Sequence, residues 1–235
     1  MKAERQIIAM GGLTADGGDA ALFGYVLQQA RAARPRVAYL ATAKGDREPF
    51  VSKFFQRTEA LGCETAHLDL FGRTPDLDDW LEQRDVIVVA GGNTKSMLAV
   101  WQAWELPERL RRAWEAGVVL AGWSAGAICW FDEGVTDSWA GRLEALPGLG
   151  FLSGSCCPHY DGEPERRPAY QRMLASGNIA PGIAIDDGAA VHYVDGAPTR
   201  VVTSREGADA YALSPGPGGV SEDALPAEHL KLAPR

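Results

Sequence analysis

The chain has 235 residues, 46% of them hydrophobic, and 23 Lys and Arg stand against 31 Asp and Glu for a formal charge of −8. That length can bury a sizeable core as one α/β domain, the composition excludes a disordered chain, and the acidic balance argues against the clustered cations of a broad nucleic-acid footprint. No apolar run approaches the roughly 20 residues of a membrane-spanning helix, and Met1 to Gln6 leads straight into a short apolar strand without the long apolar core of a secretory signal, so no membrane partner and a cytoplasmic location are expected.

In chain order, short apolar runs alternate with helical patterns. Gln6–Met10 reads as a strand, 20–33 as a helix and Arg36–Leu40 as a strand. Next come a helix at 50–61, a strand at 64–68, a short helix at 76–83, a strand at 85–90, helices at 94–103 and 107–116, and a strand at 118–121. Strands this short and apolar, separated by helices, imply a mostly parallel sheet with helices on both faces. After Trp130 the rhythm changes. Asp195-Gly196 and Glu206-Gly207 mark turns between runs at 189–194, 199–204 and 208–213, so an antiparallel meander is expected to extend the same sheet. Pro215-Gly216-Pro217-Gly218-Gly219 reads as a loop, with a loosely structured tail from about residue 215 closing a single domain over 1–235.

The cysteines, Cys63, Cys129, Cys156 and Cys157, are too few for a disulfide framework and form no C-x-x-C pair, so they read as buried thiols rather than zinc ligands. No metal or organic cofactor is expected.

The most informative stretch is Gly122-Trp123-Ser124-Ala125-Gly126, placed where an apolar strand gives way to a small-residue helix start. G-x-S-x-G at such a turn is the pattern of a nucleophile elbow, since glycines on either side let strand, turn and helix approach closely while the serine hydroxyl stands exposed. Ligands on parallel α/β sheets bind beyond the carboxyl ends of the strands. A second strand end there carries Gly91-Gly92-Asn93-Thr94, where Asn93 or Thr94 can cap the next helix. The amides of Gly92 and Ala125 would make a two-donor oxyanion hole.

A serine nucleophile needs a base, and the chain has four histidines. His67 lies beside a strand run, His229 in the tail and His192 within a meander strand; His159 follows Cys156-Cys157-Pro158 at the end of a stretch of loop character and is favoured over His192. For the acid, Asp186 and Asp187 end an apolar strand before Gly188, with Asp132 and Asp137 as competitors nearer the elbow.

These motifs, Gly-Gly-Asn-Thr after a strand, Gly-Trp-Ser-Ala-Gly-Ala at the elbow and Pro-His-Tyr further on, resemble peptidase family S51, which holds the aspartyl dipeptidases (peptidase E) and, more distantly, the cyanophycinases. The resemblance implies a fold similar to class I glutamine amidotransferases with serine as nucleophile. It implies Ser124 as nucleophile, His159 as general base, the Gly92 and Ala125 amides as oxyanion hole, and Asp187 where the aspartyl dipeptidases carry a glutamate before glycine. Asp137 matches a further acidic position. Candidate substrate contacts are Asn93, Thr94, Asp137, Tyr160 and Arg167, with Arg166 or Arg167 available to pair with a substrate carboxylate. The expected activity is hydrolysis of short peptides, dipeptides with N-terminal Asp in particular, through an acyl-enzyme. The alternatives are a cyanophycinase-like β-aspartyl hydrolase or a non-catalytic amidotransferase-like binding domain. A cysteine-dependent amidotransferase is disfavoured because serine occupies the elbow and Cys129, five residues on, would fall inside the helix. A short peptide is the expected partner, and the sequence leaves a homo-oligomer open.

Overall fold

The structure is a computed structural model and describes residues 3–14 and 19–231. Its elements run β1 (Gln6–Met10), α1 (Asp19–Gln28), β2 (Arg36–Leu40), α2 (Glu48–Thr58), β3 (Glu64–His67), α3 (Leu77–Glu82), β4 (Val86–Val89), α4 (Thr94–Ala103), α5 (Leu106–Glu115), β5 (Val119–Trp123) and α6 (Ala125–Ile128). The second half holds β6 (Phe131–Trp139), β7 (Arg142–Pro147), β8 (Leu152–Cys157), α7 (Arg166–Ala175), β9 (Gly182–Ile185), β10 (Ala189–Val194), β11 (Ala197–Thr203), β12 (Ala210–Gly216), β13 (Gly219–Leu225) and β14 (Glu228–His229).

The larger sheet has eight strands in the order β14-β11-β10-β1-β5-β4-β2-β3. From β1 through β3 the neighbours pair in parallel. The central strands read as near-continuous apolar runs because both faces are covered. On one face Ile8, Met10, Val88 and Ala121 pack against Leu22 and Phe23 of α1 and Phe54 of α2. On the other, Ile7, Ala9, Val89 and Leu120 meet Met97 and Trp101 of α4 and Leu106, Leu110 and Trp114 of α5. Phe131, Cys156 and Ile185 belong to this second cluster too, so the smaller sheet shares it. Helix α1 stops earlier than the periodicity predicts: Gln29 and Ala30 turn back on Val26 and Leu27 in tight bonds, and Pro35 ahead of β2 favours extended backbone.

The expected meander divides between two sheets. β10 and β11 form a hairpin antiparallel to β1, whereas β12 leaves it and pairs with β9 in a six-stranded sheet of order β13-β12-β9-β8-β6-β7. That sheet was not foreseen, and the stretch before His159 that reads as loop is in fact β8. The expectation of a loose tail from about 215 is also corrected. β12 and β13 pair from Ala210↔Leu225 to Gly216↔Gly219, so the Pro-Gly cluster contains a hairpin turn with ordered strands on either side. The last residues of that expected tail, 232–235, lie outside the described residues. Among the described residues no helix is long and apolar enough to cross a membrane.

Candidate active site

Carboxyl ends of four parallel strands converge on one place. β1 delivers Gly11-Gly12, β2 a short 3-10 turn at Thr42–Lys44, β4 Gly91-Gly92-Asn93, and β5 Ser124. The smaller sheet faces them with Asp137 and Ser138 from β6, His159 after β8 and Asp187 after β9.

Ser124 has φ 56° and ψ −116°, a conformation that costs a residue with a side chain roughly 1–3 kcal/mol and persists only where the surroundings impose it. Here its N–H donates to the Met10 carbonyl at 3.2 Å, and its carbonyl accepts from Ala127 and Ile128 at 2.9 and 3.0 Å. Glycines make the turn sterically feasible. A methyl on Gly126 would overlap the Val89 carbonyl and lie 2.9 Å from the Val89 Cβ, and one on Gly122 would overlap the Gly126 carbonyl. The glycines of the motif thus let the start of α6 sit directly on β4 and β5.

His159 also has a positive φ, 54°. Its Nδ1 lies 2.6 Å from Asp187 Oδ1. A carboxylate there only accepts, so Nδ1 carries the proton of this bond, which in the neutral ring makes Nε2 the acceptor. A methyl on Gly12 would overlap Asp187 Oδ1 and come within 2.6 Å of the imidazole, and one on Gly162 would overlap Asp187 Oδ2. Both glycines are contributors that the sequence reading missed. A G-G step directly after β1 was the available signal for Gly12.

Asp186 and Asp187 have separate fates. Asp187 meets the histidine, whereas Asp186 is 2% exposed and turns into the smaller sheet. There its Oδ2 accepts from the Asp209 N–H at 3.0 Å and the Tyr211 hydroxyl at 3.4 Å, while Oδ1 has no partner. Burial pushes its carboxyl up to about 6.

A cavity of about 260 Å³ is lined by Ser124, His159, Gly92, Asn93 and Asp137, together with Lys44, Ser138 and Glu163. Asn93 caps α4 by accepting from the Ser96 N–H at 2.8 Å and donates its amide to the Ser138 carbonyl at 3.1 Å. Ala125 follows Ser124 directly and is buried. Thr94 is also buried, with its hydroxyl 3.1 Å from that of Thr136, and does not line the cavity.

Neither arginine offered for a substrate carboxylate lines this cavity. Arg166 is 1% exposed and donates Nε to Glu163 at 2.6 Å and Nη1 to the Val135 carbonyl at 2.7 Å, with Nη2 3.5 Å from Asp137. A buried guanidinium needs such partners. Arg167 pairs with Glu222 and lies over the rings of Tyr160 and Tyr211. Tyr160 itself donates its hydroxyl to Glu222 at 2.6 Å. Burial works against the Glu222 charge, but hydrogen bonds from Tyr160, Arg167 and Gln171 hold its carboxyl below the usual range. The basic residue that does line the cavity is Lys44, whose ammonium lies over the Phe50 ring. Inspecting the end of β2 as well as those of β4 and β5 would have found it.

Two of the remaining histidines have other partners, and the third, His229, lies on β14 at the far edge of the larger sheet. His192 is buried between the Tyr25 hydroxyl and Gln6, with its basicity lowered by that burial, and His67 lies 3.2 Å from Asp46. Cys129, Cys156 and Cys157 are fully enclosed, and burial pushes their thiols up, that of Cys157 to about 12. Asp132 serves structure, accepting from the Gly154 N–H at 2.9 Å. Among the described residues no three His, Cys, Asp or Glu side chains cluster as a metal site would require.

Comparison with known proteins gives the chain its class, that of a peptidase. The chain is 45% identical over 229 residues to the uncharacterized peptidase YgaJ of Bacillus subtilis (strain 168), covering 96% of this chain and 99% of that protein. Residues 7–201 match the model of peptidase family S51, and the chain belongs to that family. Its fold is similar to that of a peptidase from an acI-B1 actinobacterium, with TM-score 0.73 and 19% identity over 97% of this chain and 95% of the other. It is also similar to that of a candidate peptidase E from Listeria monocytogenes EGD-e, with TM-score 0.63 and 20% identity over 86% and 99%.

Proposed function

We propose that this peptidase is of the serine type and hydrolyses short peptides, dipeptides with an N-terminal aspartate foremost, through an acyl-enzyme. The observation that carries the reading is the strained Ser124 sharing one cavity with a histidine whose Nδ1 is engaged by Asp187. Ser124 Oγ attacks the peptide carbonyl as His159 Nε2 takes its proton. Asp187 orients the imidazole and balances the imidazolium. The amides of Gly92 and Ala125 stabilise the oxyanion, each such donor contributing about 10²- to 10³-fold. His159 then protonates the leaving amine, and a water deprotonated by the same nitrogen releases the acyl group.

Lys44 supports the acidic preference. It is the lysine of the cavity wall, whereas Arg166 is engaged by Glu163 and Asp137, so Lys44 is the cation that an aspartate side chain in the cavity would draw from its place over the Phe50 ring. A second hollow of about 630 Å³ shares Asp137 and Glu163 with the first and continues past Trp139 and Leu143, which gives the rest of a short peptide room. The test is hydrolysis of α-aspartyl dipeptides, beside β-aspartyl-arginine, by purified protein and by Ser124→Ala. The expected result is turnover of the α-aspartyl series that falls by more than about 10³-fold in the variant; undiminished turnover by Ser124→Ala would overturn the proposal.

A further inference from the structure

Aspartate is a short side chain, so Asp187 can keep Oδ1 at 2.6 Å from His159 Nδ1 only if its own backbone stays close to the imidazole. Both polar backbone groups of Asp187 are held by side chains. Its N–H donates to Asp161 Oδ1 at 2.9 Å, and its carbonyl accepts from Arg205 Nε at 2.8 Å. The two holders are joined to each other through Arg205 Nη2 and Asp161 Oδ2. Each is anchored where it matters. Asp161 lies in the turn that begins at His159, whose carbonyl accepts from the Glu163 N–H at 3.0 Å. Arg205 follows β11, and its N–H donates to Thr203 Oγ1 at 3.1 Å. The result is a closed ring that runs from His159 to the Asp187 carboxylate, through the Asp187 backbone to Asp161, and back along the chain to His159. Gly12 and Gly162 leave room for the same carboxylate, since a methyl on either would overlap one of its oxygens.

We infer that Asp161 and Arg205 are positioning residues that hold the Asp187 backbone against His159 and thereby set the rate of acyl transfer without touching substrate. The inference rests on the Ser124–His159–Asp187 reading above. Neither residue lines the cavity that holds Ser124. Their ion pair is part-exposed, with 32% and 37% of the two side chains accessible, and pairs of that kind contribute little to stability. A structural role and a positioning role therefore predict different things: the first a change in unfolding, the second a change in rate with the fold intact.

The test uses Arg205→Ala, Asp161→Ala and the conservative Arg205→Lys and Asp161→Asn. Five quantities are measured: the rate at which a fluorophosphonate labels Ser124, kcat and KM on an α-aspartyl dipeptide, the downfield proton resonance of the His159 Nδ1–H, and the unfolding midpoint. The two alanine variants should slow labelling and lower kcat by about 10- to 100-fold, the range that a displacement of about 1 Å brings. KM should stay within about two-fold, and the downfield resonance should be lost or broadened. The midpoint should move by less than about 4 °C. Arg205→Lys, which keeps a donor for the Asp187 carbonyl, and Asp161→Asn, which keeps an acceptor for its N–H, should recover part of the rate and of the resonance, and they decide the matter if an alanine variant fails to fold. Folded variants with wild-type labelling rates and an unchanged resonance would overturn the inference. If wild-type protein itself does not label at Ser124, the serine-peptidase reading fails, and the resonance still reports whether the brace holds the imidazole against Asp187.

Discussion

The two halves of the site are built by different means. The elbow around Ser124 is shaped by backbone: a positive φ on the serine, main-chain bonds to Met10, Ala127 and Ile128, and glycines at 122 and 126 that allow α6 to lie on β4 and β5. The half around His159 shares a positive φ, on the histidine, and a main-chain bond from the Gly188 N–H to the Gly12 carbonyl, but its polar groups are set by side chains: Asp187, Asp161 and Arg205 form one set of hydrogen bonds and ion pairs, and Arg166 with Glu163 a second. A backbone-built half has little freedom and little tolerance for added volume. A side-chain-built half can be dismantled one group at a time with the fold intact.

Four substitutions probe that difference. The largest effect is expected from Asp187→Ala, which leaves His159 Nδ1 without its acceptor; kcat on an α-aspartyl dipeptide should fall roughly 10³- to 10⁴-fold while circular dichroism is unchanged. Gly126→Ala should act in the opposite manner, through the fold. Its methyl would overlap the Val89 carbonyl, and overpacking of this kind costs up to about 3 kcal/mol, to be read as a lower urea midpoint together with lost activity. Next comes Lys44→Gln. Removing a charge-assisted contact worth about 1.5–3 kcal/mol should lower kcat/KM for α-aspartyl dipeptides by at least about ten-fold and leave alanyl dipeptides within about two-fold; an equal loss on both would remove Lys44 from substrate selection.

The smallest effect is expected at Asp186. Burial raises its carboxyl from 3.8 to about 6, so the folded state binds that proton more tightly than the unfolded one. The resulting destabilisation is absent below about pH 4, develops as pH rises through about 6, and amounts to about 3 kcal/mol at neutral pH. Asp186→Asn removes it but buries an amide donor costing about 2 kcal/mol. The variant should therefore be more stable by about 1 kcal/mol at pH 7 and less stable than the parent at pH 4, as measured by urea unfolding at the two pH values. Parallel shifts at both would contradict the burial argument.

Legibility in the sequence follows the same division. β1, β2, β4 and β5 are readable because strands covered on both faces become unbroken apolar runs, and the elbow is readable because close backbone approach demands glycine at fixed spacing. β6 and β8 are not. Asp132-Glu133-Gly134 and Ser153-Gly154-Ser155 carry neither clean alternation nor β-branched residues, and what makes them strands is pairing with each other, of β6 with β7 and of β8 with β9. The hairpin of β12 and β13 is hidden because its turn and its flanks share one Pro-Gly cluster. Within the site, Ser124, Gly92, Asn93 and His159 are nameable from local patterns, which leave Asp186, Asp187, Asp132 and Asp137 open as the acid, and the family resemblance is what singles out Asp187. Glu163 is not nameable in this way, because only the fold brings the turn before α7 to this cavity, and Lys44 emerges only when the end of β2 is inspected beside those of β4 and β5. Arg167 shows the converse: its sequence position beside the histidine motif leaves its direction open, and Glu222, on a strand that sequence reads as tail, takes it away from the cavity.

The most direct test of the central claim is chemical. Purified protein is treated with a fluorophosphonate, and the labelled residue is located by peptide mass spectrometry. A serine made nucleophilic by His159 and Asp187 predicts one adduct per chain on Ser124, absent in Ser124→Ala and slowed in Asp187→Ala. Folded wild-type protein that carries no adduct, or carries it on another residue, would contradict the account.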